Sequence, residues 1–282
     1  MAPTSSALDC AIDTSTANVT RVYDCILGGK DNYKADRVVA KKLLDAFPSV
    51  RAIAQENRRF LGRAVRWAAS EYGIRRFLDL GTGLPTGGQI HEVLQQRKLD
   101  DCSVLYVDQD PVVQTHAIAL TRQCPAVECL AADLRRPDEV LDSAAARTLL
   151  EHGEPIALVM CAVLHFVPDE DDPAGLVGEY MDRLPPGSIL VYTHVTDENP
   201  AAVAVAKDAY KDANYQVYPR SKEAIEALAT GNKLIVQGPG IEKVTKWNPN
   251  GEELDPPEEP DEQIWLVGGA AAKPLVSPRP SK

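Results

Sequence analysis

The stretch FLDLGTGLPT, residues 77–86, limits what this chain can fold into more than any other. Apolar residues run through Asp79 to Leu80 and then give way to Gly81 and Gly83, the pattern of a buried strand ending in a turn where only small residues fit. Beyond it Gln89, Ile90, Val93 and Leu94 recur at helical spacing. The expected order is therefore strand, glycine turn, helix, with the first amides of the helix facing whatever sits on the turn. Such a unit cradles a nucleotide or the amino-acid end of a nucleoside cofactor. It belongs to sheets whose strands alternate with helices.

The rest of the chain supplies that alternation. Strand-like runs at 103–107, 127–131, 155–164 and 188–193 are each followed by helical periodicity. Residues 155–164, PIALVMCAVL, are continuously apolar, as in a strand buried on both faces. Asp172 before Pro173 reads as an N-cap with proline at the first helical position. Two amphipathic helices, 38–47 and 53–69, precede the central strand, with Asn57, Arg58 and Arg59 read as a solvated face. Residues 200–230 read as a helical excursion and a candidate lid, carrying Tyr210, Tyr215 and Tyr218. Near the end, 243–247 and 264–267 read as strands joined by an acidic, proline-rich loop. The expected organisation is a mobile arm over 1–17, a loop and helical cap over 18–72, one α/β domain over 73–273, and a tail over 274–282. Its sheet should be mostly parallel and doubly wound.

Composition removes several partners. With 282 residues and 44% apolar content there is ample material for a large core. Thirty basic against 41 acidic residues leave a net charge of −11, and no window is dense in Lys and Arg, which argues against nucleic acid. No basic start leads into an apolar run and no segment has membrane-span length, so a cytoplasmic protein without a membrane partner is expected. A homodimer is left open. The six cysteines form no CxxC pair and the five histidines are scattered, so neither metal nor a disulfide framework is expected. Cys161, inside an apolar run, reads as a buried reduced thiol.

Ligands of doubly wound sheets sit beyond the carboxyl ends of the strands. Those ends form a set: residues 79–83, Asp108, Asp133 and 162–165. A nicotinamide site would want glycine where Thr86 stands and an apolar residue where Asp79 stands. Asp79 can attract an ammonium, Asp108 can accept from two ribose hydroxyls, and Asp133 from an exocyclic adenine amine. Three acids without a basic phosphate clamp suit a cofactor that is itself cationic, as S-adenosylmethionine is. His165 follows the fourth strand, where the methyl should lie, and is the first candidate for a base or an orienting group; the alternative is a histidine that merely holds the pocket wall. Tyr23 and Asp24 come next. Their surroundings, with the Gly28–Gly29 pair, read either as a loop closing over the ligand or as an ordinary helix start capped by Asp36. His194 reads as structural, and the acids at 169–172 as a solvated cap.

Taken together, LDLGTGLPT, LYVDQDP, AADLRRP and AVLHFVPDEDDPAG, with RVYDCILGGKDNY upstream, resemble the actinobacterial family of S-adenosylmethionine-dependent methyltransferases long catalogued as a domain of unknown function. The resemblance covers residues 20–273. It implies a Rossmann-like class I methyltransferase fold with seven strands, the last antiparallel. By position it implies cofactor contacts from Asp79, Gly81, Thr82, Gly83, Asp108, Gln109, Asp133, Leu134 and Ala162, with Ala162 to His165 beside the reacting methyl. Leu84-Pro85 replaces the third glycine of the widest class I pattern. The expected activity is methylation of a small-molecule acceptor, a specialised metabolite with an aromatic or indole-like ring. The competing reading is a non-catalytic regulator that binds the cofactor; a nicotinamide oxidoreductase is disfavoured by Asp79 and Thr86.

Overall fold

A computed structural model describes residues 12–99, 101–211 and 213–275. Most of the expected arm and tail, 1–11 and 276–282, lie outside the described residues. Three helices come first, α1 (Val19–Ile26), α2 (Lys34–Ala46) and α3 (Val50–Glu71). The alternating part then runs β1 (Arg76–Leu80), α4 (Ile90–Gln96), β2 (Ser103–Asp108), α5 (Pro111–Gln123), β3 (Val127–Ala131), α6 (Pro137–Leu141), α7 (Ala144–Leu150) and β4 (Ile156–Met160). It continues with α8 (Pro173–Arg183), β5 (Ile189–Val195), α9 (Pro200–Tyr210), α10 (Lys222–Thr230), β6 (Ile235–Lys243) and β7 (Leu266–Ala272). The seven strands form one sheet in the order β3-β2-β1-β4-β5-β7-β6. Only β7 runs against its neighbours. This is the class I arrangement, and the order reverses between β1 and β4.

The central strands bury both faces, so alternate residues feed two cores. Phe77, Ala157, Val159, Ile189 and Val191 meet α3 and α4 on one side. Leu78, Leu158, Met160, Leu190 and Tyr192 meet α7, α8 and α10 on the other. A third apolar cluster joins α1 and α2 to Ala54 of α3 and to Ala209 and Tyr210 of α9. It seats the N-terminal helices over the carboxyl edge of the sheet.

Several expectations need correction. Residues 19–26 are a helix rather than part of a loop, because Asn18 caps them by accepting from the Thr20 N–H at 2.8 Å. Asp36 does cap α2, from its third position rather than from ahead of it, by accepting from the Tyr33 N–H at 2.7 Å. The described part of the arm is tied down, since Arg21 donates to the carbonyls of Asp13 and Thr16 and Ala17 bridges to Ala213. The apolar run at 155–164 stops being strand at Met160 and turns at Ala162, which has a positive φ of 55°. The penultimate strand is β6, not 243–247. It is an edge strand whose ladder breaks between Gln237 and Glu242, around Gly238, Pro239 and Gly240, so it lacks the apolar alternation of an inner strand. Val244 and Trp247 are apolar because they seal the α3 core from a turn. Asp172 does cap α8, accepting from the Gly175 N–H at 2.9 Å.

Candidate active site

The carboxyl ends of β1 to β4 open into a cleft of about 240 Å³ roofed by α1, α2, α3 and α9. At the end of β1, Asp79 is buried and accepts from Thr82 Oγ1 at 2.7 Å. Gly81 has φ 71°, and a Cβ there would lie 2.5 Å from Val163 Cγ2, so the turn admits no side chain. At the end of β2, the Gly83 N–H donates to Asp108 Oδ2 and the Asp110 N–H to Asp108 Oδ1, both at 2.9 Å. Burial raises the carboxyls of Asp79 and Asp108 from 3.8 to about 6.

Asp110 carries a second role. Arg21 pairs with Asp36 at 3.1 Å and lies 3.7 Å from Asp110 Oδ2, all three side chains buried. This joint ties α1 and α2 to the backbone that fixes Asp108.

The helix after the glycine turn does not offer its amides to a ligand as expected. Gln89 N–H donates to Glu92 and His91 N–H to the Tyr106 hydroxyl of β2, so these amides are already taken. Asp133, Leu134 and Gln109 line the cleft, but both Asp133 oxygens are held by Arg135, at 2.7 to 3.1 Å. Burial works against the Asp133 charge, yet Arg135 keeps that carboxyl below its ordinary value. The Arg135 guanidinium lies 5.9 Å from the Tyr215 ring centre, and Gln109 donates to the Tyr215 hydroxyl. This flap therefore comes from the loop between α9 and α10. The expected excursion divides here: α9 and the loop line the cleft, while Ile225, Leu228 and Ala229 of α10 belong to the core across the sheet.

The residues read as a solvated face of α3 are instead part of the site. Asn57 is buried, accepting from Thr193 Oγ1 at 2.7 Å and donating to the Tyr23 hydroxyl at 3.0 Å. Arg58 lines the cleft, near enough to Asp79 to lower its pKa. It donates to Leu84 O and Thr86 Oγ1 at 3.3 Å, while its Nε is buried without a partner. Helical spacing could have shown this, because Ala54, Asn57, Arg58 and Leu61 form one stripe along the cleft.

Tyr23 also lines the cleft, its hydroxyl donating to Ala54 O at 3.0 Å, and burial raises its pKa. Asp24 does not line it. Its carboxylate accepts from the Asp31 N–H and Asn32 Nδ2, and a Cβ on Gly29 would lie 1.9 Å from it. Asp24 shapes the glycine loop, and its expected role as a base gives way to that one.

At the end of β4 the Ala162 N–H donates to Thr193 Oγ1 at 2.8 Å, holding the turn that presents His165. His165 is buried, lines the cleft and has an Nδ1 without a partner. Burial, then the neighbouring His194 and Arg220, push its pKa well below 6.5, so the ring is neutral. His194 is structural: its Nδ1 donates to Val195 O and its Nε2 accepts from Arg220, both at 2.8 Å. Arg220 also donates to the carbonyls of Leu164 and Val167 and to Asp169, so it clamps the segment around His165. Cys161 lines the cleft as a thiol raised far above its ordinary pKa by burial. Of the buried side-chain atoms without partners among the described residues, only Arg58 Nε and His165 Nδ1 belong to the cleft lining.

Comparison with known proteins agrees with this geometry. A family described as S-adenosyl methyltransferase matches residues 5–274. The crystal structure of a putative methyltransferase from Thermobifida fusca is 35% identical, with a TM-score of 0.85, covering 93% of this chain and 97% of the other. That of a DUF574 family protein from Streptomyces avermitilis is 36% identical, with a TM-score of 0.86, covering 94% and 100%. An O-methyltransferase family protein from Burkholderia thailandensis, 14% identical over 84% of this chain and 63% of its own with a TM-score of 0.51, shares the fold. No curated protein matches the chain. Among the described residues no helix is long and apolar enough to cross a membrane.

Proposed function

The chain belongs to the S-adenosyl methyltransferase family, and we propose that it methylates a small specialised metabolite with an aromatic or indole-like ring, seated beneath the N-terminal helices. The observation that carries this reading is the division of the cleft, with charged side chains at the ends of β1 to β3 and an apolar wall from α2, α3 and α9. S-adenosylmethionine supplies the methyl on a sulfonium; its carbon–sulfur bond breaks, the pair staying on sulfur, as the acceptor bonds to carbon. Asp79 takes the ammonium, Arg58 the carboxylate and Asp108 the ribose hydroxyls. Gly81, Thr82 and Gly83 shape the floor, and Gln109, Asp133 and Leu134 border the base.

His165 faces the acceptor. Being neutral, it either receives the proton that the acceptor loses or holds an acceptor O–H or N–H in line. Tyr23 and Asn57 hold the wall, and the apolar lining excludes water.

Methyl-labelled cofactor incubated with extracts of the source organism, followed by mass spectrometry, should reveal one labelled small molecule. With that acceptor, His165→Asn should keep cofactor affinity and lose about a hundredfold in turnover. Turnover at the wild-type rate would remove His165 from the reaction.

A further inference from the structure

Among the described residues the charged side chains that line the cleft are Arg58, Asp79, Asp108, Asp133 and Arg135. Four of them belong to the donor half, with Arg135 on Asp133 and the acids ending β1, β2 and the β3 turn, while Arg58 acts on Asp79 and lies at the boundary, 5.6 Å from the Tyr23 ring centre. The other half is walled by Phe47 and Trp265, in edge contact at 5.1 Å between ring centres, and by Ile53, Ala202, Val203 and Ala206. The Tyr210 hydroxyl also lines this half, and three other polar side chains there are already committed. Tyr23 bonds Ala54 O, Asn57 bonds Thr193, and Asn18 caps α1. Among the described residues, His165 Nδ1 is the one buried side-chain atom without a partner there.

From this we infer that the acceptor carries no net charge near the methylated atom and is largely apolar, with one hydroxyl or N–H that bonds His165. The inference rests on the methyltransferase reading above. A carboxylate, phosphate or ammonium against Phe47, Trp265, Val203 and Ala206 would be stripped of water with no charged side chain of that wall to pair with it. A sugar would leave several hydroxyls without partners. An uncharged planar molecule gives up little on entry, and its one polar group relieves the orphaned imidazole nitrogen.

The test uses the full chain, methyl-labelled S-adenosylmethionine and extract of the source organism. After reaction, label is partitioned between ethyl acetate and water made acidic, neutral or alkaline. Extraction into the organic phase at all three is the expected result. Label extracted only from acid, only from alkali, or from neither would overturn the inference, as would label precipitating with protein. No labelled product at all, with cofactor binding intact, would instead overturn the methyltransferase reading beneath it. A second arm places a charge in the wall. Val203→Asp should lower kcat/KM for the extracted acceptor about a hundredfold while cofactor affinity stays unchanged. Equal turnover by that variant would place the acceptor elsewhere.

Discussion

The two halves of the cleft are made by different means. The donor half comes from strand ends, where the hydrogen-bonded ladder fixes each backbone position and a few carboxylates can be held against their own desolvation. The acceptor half comes mainly from helix faces, with Val195 and Leu266 of the sheet at its margin, and complementarity there is a matter of shape. Charge demands a rigid frame, whereas apolar fit can be assembled from any helix that packs over it.

If that contrast holds, a donor-half carboxylate should dominate cofactor affinity. Asp108→Ala removes an acceptor already oriented by two backbone amides. It should weaken S-adenosylmethionine by about 3 kcal/mol, roughly a hundredfold, in calorimetry. Unchanged affinity would break the comparison outright.

Arg58 sharpens it, because that side chain comes from a helix yet serves the donor half. Arg58→Ala should cost S-adenosylmethionine about tenfold in affinity. It should leave methylthioadenosine, which has no amino-acid end, unaffected. Equal losses for both ligands would mean that Arg58 shapes the fold rather than the carboxylate site.

The smallest effect concerns stability. Raising Asp79 from 3.8 to about 6 means that the folded protein binds a proton before the unfolded chain does as pH falls. The buried charge therefore costs the free protein stability above pH 6, and the cost disappears as pH falls from about 6 to about 4. Asp79→Asn should raise the melting temperature of the free protein by a few degrees at neutral pH, with the difference from wild type closing over that window. Its cofactor affinity should fall at the same time. A variant that melts lower at neutral pH would show that Asp79 stabilises the empty turn.

What the sequence disclosed follows the same division. Asp79, Gly81, Asp108 and Asp133 stood out because strand ends are punctuated by a change from apolar to small or acidic residues. Asn57 and Arg58 were misread because α3 is buried on two sides, against the sheet through Phe60 and Ala64 and against the cleft through Ala54 and Leu61. Polar residues on such a helix look like a wet face until the roof is placed. Arg220 gave no local signal, since its partners Leu164, Val167 and Asp169 lie some fifty residues earlier. Asp24 could have been understood from its neighbours alone: it accepts from Asp31 and Asn32 and fills the space that makes Gly29 obligatory.

The joint of Arg21, Asp36 and Asp110 bears on how such a protein changes through descent. It anchors the roof to the residue beside Asp108, while the wall side chains Phe47, Val203 and Ala206 lie outside the joint. A substitution at Phe47 or Val203 would therefore alter which molecule fits without touching the joint that steadies the grip on the methyl donor. New chemistry then needs new walls and no new hinge.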